Sequence, residues 1–136
     1  MVKRGNRWVK GFEAAQAASI HAITTYGPWK MGAALFNGNN LLAVGYNQMT
    51  KSHPQSQIKI KTKNYNIFVH AEQMALIRRR HYDGDSNLIM YVWRTSGTGE
   101  AACSKPCANC QELMKLAGVK KVRYFNEQGI SEEMKL

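Results

Sequence analysis

Two short runs of residues carry side chains able to do chemistry together, His70-Ala71-Glu72 and Pro106-Cys107-Ala108-Asn109-Cys110. One imidazole and two sulfurs are ligands of the kind that Zn²⁺ takes in a tetrahedron, and a catalytic zinc site uses three protein ligands with water in the fourth position. His70, Cys107 and Cys110 supply that number. The Cys-x-x-Cys spacing lets two sulfurs from a first helical turn reach one ion, and the positive end of a helix favours their thiolate forms. Such an ion lowers the pKa of its water towards neutrality, and a nearby carboxylate that is not itself a ligand can take the water's proton and pass it on. Glu72, two residues from His70, is placed to be that carboxylate if both stand at a helix start. Alone, a Cys-x-x-Cys is equally a redox pair or half of a structural zinc site, and a His-x-Glu arises by chance. Their pairing at two helix starts, each after a strand, points to metal-assisted hydrolysis.

The elements that must position these residues are legible from periodicity. Residues 70–81 read as a helix with apolar positions Ala71, Met74, Ala75 and Ile77 and Leu76 beside them, followed by the Asp83-Gly84-Asp85 turn. Residues 88–93 read as a strand, 107–116 as a helix closed by Gly118, and 119–125 as a further strand. Upstream, 12–25 is an Ala-rich helix ended by Tyr26-Gly27-Pro28, 31–36 a buried strand, 37–40 a hairpin turn and 41–46 its antiparallel partner. Residues 47–66 are polar and basic without a clear period, and a loop that long suggests a lid or a binding surface. The alternation of helix and strand implies helices on both faces of a mixed sheet.

The chain has 136 residues, enough for one domain (1–136), with a basic leader at 1–11 and a basic loop or arm at 48–69. It carries 19 Lys and Arg against 9 Asp and Glu, a net charge of +10. The excess is concentrated in residues 1–70, which hold nine basic side chains and one acidic one, among them Lys51, Lys59, Lys61 and Lys63. Such a field attracts phosphate-bearing partners, the plain alternative being a solvated face. No apolar run is long enough to span a membrane, and the start of the chain lacks the apolar stretch of a signal peptide, so a cytoplasmic location is expected. Three cysteines within eight residues are a poor disulfide framework and suit metal binding in a reducing compartment.

The two motifs resemble the signature of the cytidine and deoxycytidylate deaminase superfamily, His/Cys-x-Glu followed by Pro-Cys-x-x-Cys, whose members act on free cytosine compounds or on bases in polynucleotides. The resemblance extends from Phe12 to Phe125: Gly32-Ala33-Ala34-Leu35 is similar to the family's first strand and Gly45-Tyr46-Asn47 to the end of its second. It implies a three-layer α/β/α cytidine-deaminase-like fold, Zn²⁺ as cofactor, and hydrolytic deamination with Glu72 as the proton carrier. By the same resemblance Asn47 would bond a sugar hydroxyl, while the main chain of Ala71 and Glu72 itself would meet the pyrimidine carbonyl and ring nitrogen. The implied substrate is a free cytosine nucleotide or nucleoside, with dCMP converted to dUMP favoured by the basic first half. The alternative is cytosine or adenine in RNA or single-stranded DNA. A homodimer or higher homo-oligomer is expected, since a deaminase of this size often needs a neighbour to close its pocket.

The sequence also departs from the pattern. Cys103, four residues before Cys107, is expected as a packed or shielding thiol rather than a fourth ligand, which would displace the water. His53 is expected as a loop residue, its best use being contact with phosphate. The 94–105 segment is longer than the family's usual passage and is expected to form a pocket wall. Trp29, Trp93 and Tyr26 are stacking candidates, with core or rim packing as the alternative for both tryptophans. After Phe125 the eleven remaining residues are too few for a further helix and strand, so four sheet strands are expected, five being the alternative, with a short helix at 131–136.

Overall fold

Residues 88–92 are apolar at every position, so this segment must be covered on both faces, and it forms the middle strand of a five-stranded sheet. The computed structural model describes residues 6–21, 30–47, 70–79, 87–95 and 101–136. In chain order the elements are α1 (Asn6–Ser19), β1 (Lys30–Asn37), β2 (Asn40–Tyr46), α2 (Ala71–Arg78), β3 (Leu88–Thr95), α3 (Ala108–Leu116), β4 (Val119–Phe125) and β5 (Ser131–Lys135). The sheet order is β2-β1-β3-β4-β5; β3 and β4 run parallel, and every other neighbouring pair is antiparallel.

Strand periodicity divides the interior into two cores. Ala33, Leu35, Leu88, Met90, Val92 and Val122 pack with Ala71 and Ala75 of α2 and with Cys110 and Met114 of α3. Their alternate neighbours Ala34, Phe36, Ile89, Tyr91 and Phe125 pack with Trp8, Phe12 and Ala15 of α1. The result is the three-layer α/β/α architecture, with α1 alone on one face and α2 and α3 on the other. Two glycines set how closely the helices approach. A Cβ on Gly45 would collide with the Ala71 carbonyl oxygen and lie 2.6 Å from the Ala75 nitrogen, so only glycine lets β2 seat α2 at this depth. Gly32 does the same for α1, where a Cβ would run into the Ala15 carbonyl oxygen.

Two sequence expectations are corrected. The first helix begins at Asn6, not Phe12, so half of the 1–11 leader belongs to the fold. Trp8 and Phe12 stand one turn apart and are both buried, and the Arg123 guanidinium lies 4.7 Å above the Trp8 ring. That i, i+4 aromatic pair was masked in the sequence by the basic residues around it. The chain end is a fifth strand, not a helix: β5 turns back along β4 after a tight connection in which Asn126 Oδ1 accepts from the nitrogens of Gln128 (2.9 Å) and Ile130 (3.0 Å) and Gly129 takes φ +78°. Glu, Met and Lys favour a helix locally. Cross-strand pairing overrides this, because β5 places Glu132 against the Tyr124 hydroxyl (2.9 Å) and Glu133 against Arg123 (2.8 Å). The 48–69 loop, with His53, and residues Tyr26 and Trp29 lie outside the described residues. Among the described residues no helix is long and apolar enough to cross a membrane.

Candidate active site

The starts of α2 and α3 meet above the sheet, and each is capped by a ligand-bearing residue. His70 is the N-cap of α2 and Cys107 the N-cap of α3, both with extended backbone. Cys107 Sγ accepts from the Cys110 nitrogen at 3.5 Å, the usual work of a capping oxygen done here by sulfur. His70 Nδ1 stands 3.8 Å from Cys107 Sγ and 3.3 Å from Cys110 Sγ, and the three ligand atoms lie within 4.8 Å of one another. A tetrahedral zinc with bonds of about 2.3 Å to sulfur and about 2.1 Å to nitrogen needs a nitrogen–sulfur separation of about 3.6 Å. The two observed separations bracket that value, so the donors fit the ion in kind and in spacing.

Electrostatics at this point match the same use. A hydrogen bond shared with Cys110, together with one to His70, holds the Cys107 thiol down at about 4, so an exposed thiolate is available well below neutrality. Cys110 is buried, and the shared hydrogen bond and burial push it up. For the pair this describes one proton held between two sulfurs, the proton that a metal would displace. His70 is opposed by burial but raised on balance by Cys107 and Glu72. Glu72 is only 2% exposed, and burial raises its carboxyl above the usual range against the lowering effect of His70; its other charged neighbours are Cys107 and Cys110. A buried carboxyl poised to exchange protons beside a metal-ligand set is suited to general acid–base work.

The remaining expected residues fall into place unevenly. Ala71 is fully buried as the first residue of α2, where the main-chain N–H has no partner within the helix. Asn47 is buried at the end of β2, its side-chain oxygen accepting from the Met31 nitrogen at 2.9 Å and its own nitrogen donating to the Met31 carbonyl at 3.3 Å. Cys103 is half-buried and does not join the ligand group formed, among the described residues, by His70, Cys107 and Cys110. Trp93 packs edge-on against Phe125 on the α1 side of the sheet, away from the metal ligands.

Two contributors were missed in the sequence. Gln73, 2% exposed, accepts from the His70 nitrogen (3.3 Å) and aims its amide at Cys110 Sγ (3.9 Å), tying the two ligand-bearing helix starts together. A Gln three residues after an N-cap is half of a capping box, and that was its available signal. Ser104 is fully buried and clamps the segment before Cys107 onto the sheet: its hydroxyl donates to the Val92 carbonyl (2.8 Å) and accepts from the Phe125 nitrogen (2.9 Å). Nothing in the sequence marks this serine.

The sequence model of the cytidine and deoxycytidylate deaminase zinc-binding region matches residues 7–126. Among solved structures, the fold is similar to a cytidine deaminase from Burkholderia pseudomallei (TM-score 0.66, 23% identity, covering 93% of this chain and 91% of that one). It is also similar to a dCMP deaminase from the cyanophage S-TIM5 (TM-score 0.58, 24% identity, 88% and 82% covered) and to a cytidine deaminase from Mycobacterium leprae (TM-score 0.58, 20% identity, 94% and 93% covered). No curated protein matches the sequence significantly.

Proposed function

The chain belongs to the cytidine and deoxycytidylate deaminase zinc-binding family, and on that footing we propose that its substrate is a free cytosine nucleotide or nucleoside, dCMP before the others, converted to dUMP with release of ammonia. Zinc-dependent hydrolytic deamination is the family's chemistry, and His70, Cys107 and Cys110 are the residues that hold the ion. When bound, the ion supplies the Lewis acidity that makes water a nucleophile near neutral pH. The rest falls to the chain. Glu72 takes the proton from the attacking water, delivers it to the ring nitrogen beside the amine-bearing carbon, and later protonates the leaving amine. The Ala71 N–H meets the pyrimidine carbonyl, and Asn47, its side-chain oxygen fixed by Met31, meets a sugar hydroxyl. The burial of Glu72 against the His/Cys/Cys set is the observation that carries this reading.

The preference for a phosphate-bearing substrate is supported by the nine-to-one excess of basic over acidic side chains in residues 1–70. Measuring kcat/KM for deoxycytidine, dCMP and a single-cytosine oligonucleotide at two salt concentrations tests it. We expect dCMP to exceed deoxycytidine by about tenfold or more, as one charge-assisted phosphate contact allows, with little gain from a longer strand. An oligonucleotide advantage of about tenfold that falls steeply with salt would replace this reading by one of RNA or single-stranded DNA deamination.

The chain is expected to work as a homodimer or larger homo-oligomer in the cytoplasm, whose reducing conditions suit three free thiols beside a metal site. Sedimentation velocity on the fully active protein should show at least a dimer. A purely monomeric active species would reject that assembly.

A further inference from the structure

One cation stands on the metal-facing side of the sheet without a part in the chemistry above. Along β3, Leu88, Met90 and Val92 pack with Cys110 and Met114, while Ile89, Tyr91 and Trp93 pack towards α1. The alternation holds to the strand's end, where Trp93 Nε1 donates to Thr95 Oγ1 at 2.9 Å on the α1 side. Arg94 therefore emerges on the α2 and α3 side, at the end of the sheet where the ligand-bearing segment departs. Its ladder partner in β1 is Met31, and Met31 in turn is bonded through both its nitrogen and its carbonyl to Asn47. Asn47, Met31 and Arg94 thus form one row across three strands, placing Arg94 about 10 Å from Asn47 at the usual strand spacing. The guanidinium is half-buried, and its Nη1 donates to the Cys103 carbonyl at 3.3 Å, while the Arg94 carbonyl accepts from the Ala102 nitrogen at 2.8 Å. It is held against the segment that leads into Pro106-Cys107.

The reacting ring is neutral before and after deamination, so the reaction itself gives no reason for a permanent cation here. A guanidinium half-withdrawn from water at the end of an apolar strand is best matched by an anion, and its planar fork fits phosphate oxygens in pairs. A mononucleotide whose sugar lies at Asn47 carries its phosphate a few ångströms away, within the span of this row. We propose that Arg94 is a specificity-determining residue that receives the phosphate of a cytosine mononucleotide. The inference rests on the reading of the site as a deaminase of free cytosine compounds and assigns the phosphate contact to a residue outside the basic 48–69 loop.

The test compares kcat/KM for dCMP and deoxycytidine in the zinc-loaded wild type, Arg94→Ala and Arg94→Met, with zinc content measured for each. We expect Arg94→Ala to lower kcat/KM for dCMP by about 10- to 100-fold, chiefly through KM, and to leave deoxycytidine within about threefold. Arg94→Met keeps the packing of the aliphatic stem and should give the same loss of discrimination, which provides the measurement should the alanine variant lose zinc or fail to fold. An equal loss on both substrates, or wild-type discrimination in either variant, overturns the role of Arg94 while the wild-type preference for dCMP leaves the proposed function standing. A wild type that deaminates deoxycytidine as well as dCMP removes the phosphate reading and this inference together. A wild type that deaminates neither removes the proposed function itself.

Discussion

Glu72→Gln should keep about one zinc ion per chain and an unchanged or slightly raised melting temperature while kcat falls by about 10²- to 10⁴-fold, the range for losing a positioned proton carrier. The side chain is 2% exposed, and burial already opposes its charge, so the neutral isostere is the easier group for the fold to accommodate. Activity and stability are therefore expected to move apart, as they do where a site is built at some cost to the fold. Glu72→Ala should lose at least as much turnover while also leaving a small cavity in the α2 layer. Single-turnover rates with dCMP and deoxycytidine, taken beside zinc content and a thermal melt, separate these effects. A variant turning over within about threefold of the parent would mean that another group moves the protons.

Cys107→Ala should abolish stoichiometric zinc binding, dropping the metal content from about one equivalent to a small fraction of one, and with it essentially all turnover. The removed sulfur is exposed and contributes little packing, whereas Cys110 sits in the core beside Met114; alanine at 107 therefore tests the metal with the least damage to the fold. Linkage sharpens the measurement. A ligand that binds only the native state stabilises by about 4 kcal/mol at a thousandfold excess over its dissociation constant, so added zinc should raise the wild-type melting temperature by several degrees. Cys107→Ala should melt with the chelated wild type and not respond to zinc. Undiminished metal content in this variant would end the assignment of the site.

The sequence alone was sufficient for what depends on local residue type and spacing. Two cysteines three apart at a helix start, and a histidine two before a glutamate at another, specify a donor set and a proton carrier whatever the packing around them, because metal coordination and acidity are properties of the groups themselves. The same holds for β1, β2, the 37–40 turn, α2, β3, α3 and β4, whose strict periods or unbroken apolar runs leave little choice of element. Tertiary structure decided whatever needed a partner distant in sequence. β5 has a helix-favouring composition, and only the pairing of Glu132 and Glu133 with Tyr124 and Arg123 of β4 makes it a strand. The early start of α1 depends on Trp8 finding Arg123 and Phe12 finding Tyr91 and Phe125, contacts that span most of the chain. The bridging of two ligand-bearing helices by Gln73, the clamp at Ser104 and the alignment of Arg94 with Asn47 likewise have no local signature. They exist because β1 lies between β2 and β3 in the sheet and because α2 and α3 point their N-termini at one spot, arrangements fixed by layer packing and by the two close approaches at Gly32 and Gly45.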